Sequence, residues 1–172
     1  YNGVWGYHPL LITLANTREP LFIVNRSGSR PSHEGAPAAL DRAIELCRKA
    51  GFADVLLRGD TDFSMTAHLD RWDDDGVRFV FGYDAKKGLV NRAGNLPSRG
   101  YLELIRKADT VFGRKQRRKQ PRIKEQIVRE RGYFNRRLIE EDTAEFEHQP
   151  NKARRPYRIV VLRKLIHEEH HQ

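Results

Sequence analysis

The run Leu56-Leu57-Arg58-Gly59-Asp60-Thr61-Asp62-Phe63-Ser64 decides how this chain is read. An apolar, β-prone lead (Ala53 to Leu57) runs into a turn that carries one glycine and two aspartates, and a helix-like segment, Ser64 to Trp72, follows. Strand, turn, helix is the unit of an α/β fold, in which ligands and metals collect at the carboxyl ends of the strands. Two carboxylates displayed there are hard oxygen donors of the kind Mg²⁺ takes together with water and phosphate oxygens. The competing reading of the same residues is local: Asp60 caps a helix and Asp62 sits beside its positive dipole end.

Working outward, Leu10 to Ala15 and Leu21 to Val24 are apolar runs separated by polar turn residues, which predicts an antiparallel hairpin. Ser32 is placed to cap a helix with Glu34 in its first turn. Ala39, Leu40, Ala43, Ile44, Leu46, Cys47 and Ala50 then repeat at helical spacing, and Gly51 ends the element. Val77 to Tyr83 reads as a further strand, with Phe79 and Phe81 on one face. The order β-β-α-β-α-β predicts one mixed sheet flanked by helices, with the two hairpin strands beside the strand that ends near Gly59. Trp5, Tyr7 and Trp72 are expected in the core.

The pattern changes after Asp84. Lys86 to Gly100 reads as loop, broken by Gly88, Gly94, Pro97 and Gly100, and Tyr101 to Ala108 as a short helix. Beyond it lie β-like runs at 125–128, 133–139 and 157–162, with a weaker one at Ala144 to Glu147. The expected organisation is therefore an α/β core over 1–84, a basic linker over 85–122, and a β-rich insertion with a tail over 123–172.

Thirty-two Lys and Arg against 23 Asp and Glu give a net charge of +9, which points to a polyanionic partner. The densest cluster, Arg114, Lys115, Arg117, Arg118, Lys119 and Arg122, is the candidate DNA-binding segment through phosphate neutralisation. A single cysteine, Cys47, excludes an internal disulfide framework and a Cys-rich zinc site. No apolar run approaches the ~20 residues needed to cross a bilayer. His8 and His33 have no acidic or Cys partner at ligand spacing and read as polar residues near turns, and the His-rich end from His167 reads as a frayed terminus. The first residues, Tyr1-Asn2-Gly3-Val4-Trp5, carry neither a secretory leader nor an initiator Met, so the chain is expected to be a segment of something longer.

Several stretches together resemble bacterial insertion-sequence transposases of the DDE type. They are Gly6-Tyr7-His8-Pro9-Leu10 with Leu14-Ala15-Asn16-Thr17, Asn25-Arg26-Ser27-Gly28-Ser29-Arg30-Pro31-Ser32-His33-Glu34-Gly35, and Leu57-Arg58-Gly59-Asp60-Thr61-Asp62-Phe63. Asp70-Arg71-Trp72 and Val77 to Asp84 fit the same pattern, and 124–163 matches a charged β-rich insertion more loosely. The resemblance implies a ribonuclease H-like fold and two Asp and one Glu that hold two divalent metals, Mg²⁺ or Mn²⁺. Such a pair, about 3.5–4 Å apart, serves cutting and joining of DNA strands.

By that resemblance Asp60 matches the second catalytic aspartate, with Asp62 the alternative ligand. The family's first Asp would precede Tyr1 and its Glu would follow Gln172. Inside the chain Glu34 and Asp41 lie on the wrong helix and Asp84 at the far end of a different strand, so the segment is expected to be inactive alone. The implied partners are transposon-end and target DNA, with a homodimer in the full-length protein, in the cytoplasm at the nucleoid. The alternative is a DNA-binding module on the same scaffold without the chemistry.

Overall fold

In the computed structural model, residues 6–101 and 136–168 are described, without the side chains of residues 136–138 and 140. The protein is mixed α/β. The elements in order are β1 (Leu10–Leu14), β2 (Glu19–Val24), α1 (Ala36–Lys49), β3 (Leu56–Gly59), a 3-10 turn (Thr61–Phe63), α2 (Leu69–Asp74), β4 (Arg78–Phe81), α3 (Lys87–Gly94), β5 (Arg136–His148) and β6 (Tyr157–Glu168). The chain divides into two compact units. One is Tyr1–Asp84 together with Gln149–Arg155; the other is Ala85–His148 with Pro156–Gln172. A continuous cut after Asp84 does not describe this division, because 149–155 returns to the first unit.

In the first unit, β1 and β2 form the expected hairpin, with Leu10 opposite Val24 and Leu11 opposite Ile23. β3 and β4 pair in parallel, Leu57 beside Phe79 and Gly59 beside Phe81. These are two separate ladders and not the single mixed sheet that element order predicts. Order alone sets the sequence of elements but not which edges bond, and no described strand pairs with both.

Helix α1 opens differently from expectation. Its N-cap is Gly35, at φ 74 and without a side-chain cap, and Ser32 lies outside it. The left-handed backbone there suits glycine. Pro37 occupies the first turn, and Arg48 and Lys49 meet the negative end of the dipole. One face carries Ala36, Ala39, Ala43 and Ile44, all buried, whereas Leu46 is exposed and Cys47 half-buried. Ala36 and Ala39 pack on Leu10, with Ile12, Val24, Phe63 and Met65 around them. Phe63 and Met65 follow the aspartate turn, so this cluster ties the turn to the hairpin and to α1.

The helix expected from Ser64 to Trp72 is instead a 3-10 turn followed, after a gap, by the six residues of α2. Trp72 and Val77 are fully buried. Trp72 lies 5.9 Å from the ring of Phe81, which stacks on Phe79 at 6.0 Å. Tyr7, expected in the core, is 78% exposed; Trp5 lies outside the described residues.

In the second unit, the stretch read as loop after Lys86 contains α3. Gly88 and Gly94 sit in its terminal turns, and the Tyr101 hydroxyl donates to the Ala93 carbonyl at 3.0 Å. A further helical stretch begins at residue 98. The weak β run around Ala144 is the middle of a thirteen-residue strand, because β6 pairs with it along its length. Asp142 opposite Arg163 closes at 2.9 Å, and Glu145 pairs with Arg158. Arg92 lies over Phe146 and Arg163 over Tyr101.

Candidate functional site

The two parallel strands end side by side. The Gly82 amide donates to the Gly59 carbonyl at 3.0 Å, and the turn carrying Asp60 folds back over that junction. Both glycines are required by space. A Cβ on Gly59 would lie 2.8 Å from the Cβ of Phe63 and 3.1 Å from the Phe81 ring. One on Gly82 would lie 2.7 Å from the Thr61 amide nitrogen. The turn is therefore seated on the strand ends by close packing, and Asp60 and Asp62 point from a fixed backbone into solvent, both exposed.

Asp60 is the N-cap of the 3-10 turn, its Oδ1 accepting from the Asp62 amide at 3.1 Å. The local reading of this motif is thus realised. It is compatible with ligand duty, since a carboxylate has about four lone-pair sites for partners. Among the described residues no group of three or more His, Cys, Asp or Glu side chains is placed to hold a metal ion. Glu34 is committed to Arg30, and Asp41 to α2. The basic cluster Arg114, Lys115, Arg117, Arg118, Lys119 and Arg122 lies outside the described residues.

Two arrangements around α2 have no local signature in the sequence. On one side, Asp41 of α1 accepts from both Arg71 guanidinium nitrogens at 3.0 Å and from the Trp72 indole at 2.8 Å. Partial burial pushes the Asp41 carboxyl up, but the bonds from Arg71 and Trp72 outweigh it and hold the group below its ordinary value. On the other side, the segment between β5 and β6 docks. Its turn is knit by Ala153 N–H to the Pro150 carbonyl at 3.0 Å and by the Gln149 amide to the Ala153 carbonyl at 3.1 Å. Pro150 and Ala153 are buried.

The buried carboxylate of Asp70 accepts the Arg154 main-chain N–H at 2.7 Å and lies 3.4–3.5 Å from the Arg154 and Arg155 side chains. Asp74 pairs with both of these guanidiniums and Asp73 with that of Arg155. Asp70 and Arg154 are 84 positions apart, which is why no sequence window shows the pair.

The β2–α1 loop is also rigidly built. Arg26 donates to the carbonyls of His8, Ser32 and Glu34 at 2.6–3.1 Å. His8 Nδ1 lies 2.9 Å from the Arg30 carbonyl, a bond that occupies the side chain structurally. His33 is exposed. No described helix is long and apolar enough to cross a membrane. Comparisons with family models, with curated proteins and with solved structures each return no match.

Proposed function

We propose that this chain is part of the ribonuclease H-like catalytic region of a DDE-type insertion-sequence transposase, in which Asp60 is one of the three metal-holding carboxylates. The observation that carries the reading is the placement of Asp60: an exposed carboxylate on a sterically fixed turn at the carboxyl end of a parallel strand pair. A further feature supports it. The face of the parallel β3–β4 pair that carries Leu56 and Val80 is exposed at both residues, whereas parallel sheets are ordinarily covered on both faces.

The described residues do not by themselves fit a two-metal centre, because Asp60 and Asp62 have no third ligand near them. No catalytic step is therefore assigned to this chain alone. Its own contributions are one carboxylate, a rigid seat for it, and the positive net charge that favours DNA, to which the 114–122 sequence contributes. The capping bond from Asp62 to Asp60 favours a second reading, a DNA-binding module on this scaffold without chemistry.

Strand-cleavage assays separate the two. The 172-residue chain should show no Mg²⁺- or Mn²⁺-dependent nicking. A longer chain supplying the flanking segments should cut and join DNA, and Asp60→Ala should abolish that while leaving DNA binding largely intact. Full activity of the longer Asp60→Ala chain would remove Asp60 from the site.

A further inference from the structure

The segment between β5 and β6 is held against α2 in two layers. The inner layer is buried: Pro150, Ala153, and the Asp70 carboxylate on the Arg154 main-chain N–H. The outer layer consists of ion pairs at the surface: the Arg154 side chain, 77% exposed, against Asp74, and Arg155, 40% exposed, against Asp73 and Asp74, which are 46–49% exposed. The main chain is thus pinned, and each guanidinium is shared between buried Asp70, 3.4–3.5 Å from its Nε, and carboxylates open to water. Exposed pairs of this kind contribute little and are screened by salt.

We infer that Arg154 and Arg155 form a nucleic-acid backbone site in which phosphodiester oxygens replace the carboxylates of Asp73 and Asp74. The fork of a guanidinium fits carboxylate and phosphate equally, so the exchange keeps its hydrogen bonds and needs only side-chain rotation. The pinned loop lowers the cost of ordering, because its backbone is fixed before DNA arrives. Asp73 and Asp74 act as internal competitors that hold the two arginines in place and reduce their affinity for phosphate. The inference rests on the DNA-binding part of the proposed function and is independent of the chemistry at Asp60.

The test is equilibrium binding of the full chain to a short duplex across a salt series, followed by fluorescence anisotropy. Arg154→Gln with Arg155→Gln should weaken binding several-fold and reduce the log–log salt slope by about 1–2. Asp73→Asn with Asp74→Asn, which leaves buried Asp70 intact, should strengthen binding several-fold. That gain should disappear when the arginine substitutions are present. Glu45→Gln, an exposed carboxylate paired with Lys49 on α1, should leave affinity nearly unchanged.

A gain from Asp73→Asn and Asp74→Asn that persists without the two arginines would reduce the effect to general charge and overturn the site. So would unchanged affinity in the arginine variant, or no duplex binding at all. Arg154→Gln alone, at the most exposed of these positions, repeats the test with the least risk to folding. No cleavage is measured, so a failed assignment of Asp60 and a failed arginine site give different results.

Discussion

Two loops at strand ends are fixed by opposite physics. The Asp60 turn is seated by contact: glycine at 59 and 82 lets Phe63 and the Thr61 backbone approach to distances that a Cβ would forbid. The 149–155 loop is seated by polar groups, a buried carboxylate on a main-chain N–H with ion pairs around it. The first arrangement leaves no room for an added atom and is expected to be indifferent to salt. The second is expected to respond to charge and to salt.

The largest expected effect breaks the contact side. Gly82→Ala places a methyl against the Thr61 backbone, which cannot swing aside as a side chain would, and should cost about 1–3 kcal/mol as overpacking does. Urea unfolding should show a lowered midpoint by the same amount at low and high salt. A midpoint within error of wild type would mean that the turn is not seated on Gly82.

Asp70→Ala should come next. The Arg154 N–H loses its acceptor in a buried place, a loss of about 1–2 kcal/mol, moderated because both guanidiniums can turn to water. Added salt should narrow the gap between variant and wild type by screening the Asp70 pairs with Arg154 and Arg155, which only the wild type has, and a gap that widens with salt would reverse the comparison.

A smaller effect is expected at Asp60. Asp60→Ala removes a cap from a three-residue turn and should cost about 0.5–1 kcal/mol. A loss as large as that of Gly82→Ala would show that the cap, rather than the glycines, seats the turn. The smallest effect concerns pH. Asp41 is held below its ordinary value of 3.8 when folded, so its contribution is present above that pH and is lost as pH falls through the folded-state value. Asp41→Asn should flatten the acid limb of the stability curve below about pH 4. An acid limb identical to wild type would remove the Arg71–Asp41–Trp72 bridge from the account.

The parts that were legible in the sequence are those governed by neighbours in the chain. Alternation and turn residues mark the β1–β2 hairpin, the periodicity of Ala39, Ala43 and Ile44 marks α1, and an apolar run ending in Gly59 marks the strand that presents Asp60. Distant partners govern the rest. Lys87–Gly94 has two glycines and polar ends, and becomes helical in a context that includes the Tyr101 hydroxyl on Ala93. The Glu-rich β5 extends over thirteen residues because β6 brings Arg158 and Arg163 to its carboxylates. Asp70 could not be singled out, since its partner lies 84 positions away. The separation of the two ladders was equally hidden, because spacing along a chain carries no information about which strand edges meet.

The central claim is that Asp60 serves chemistry and not only the turn, and one substitution separates those roles. Asn caps a helix start about as well as Asp, but it lacks the charge that a hard divalent cation requires. In the longer chain that supplies the flanking segments, Asp60→Asn should therefore leave the unfolding midpoint and duplex affinity near wild type while strand cleavage in Mg²⁺ falls to background. Cleavage at the wild-type rate by a folded, DNA-binding Asp60→Asn chain would contradict the account and leave Asp60 as a cap alone.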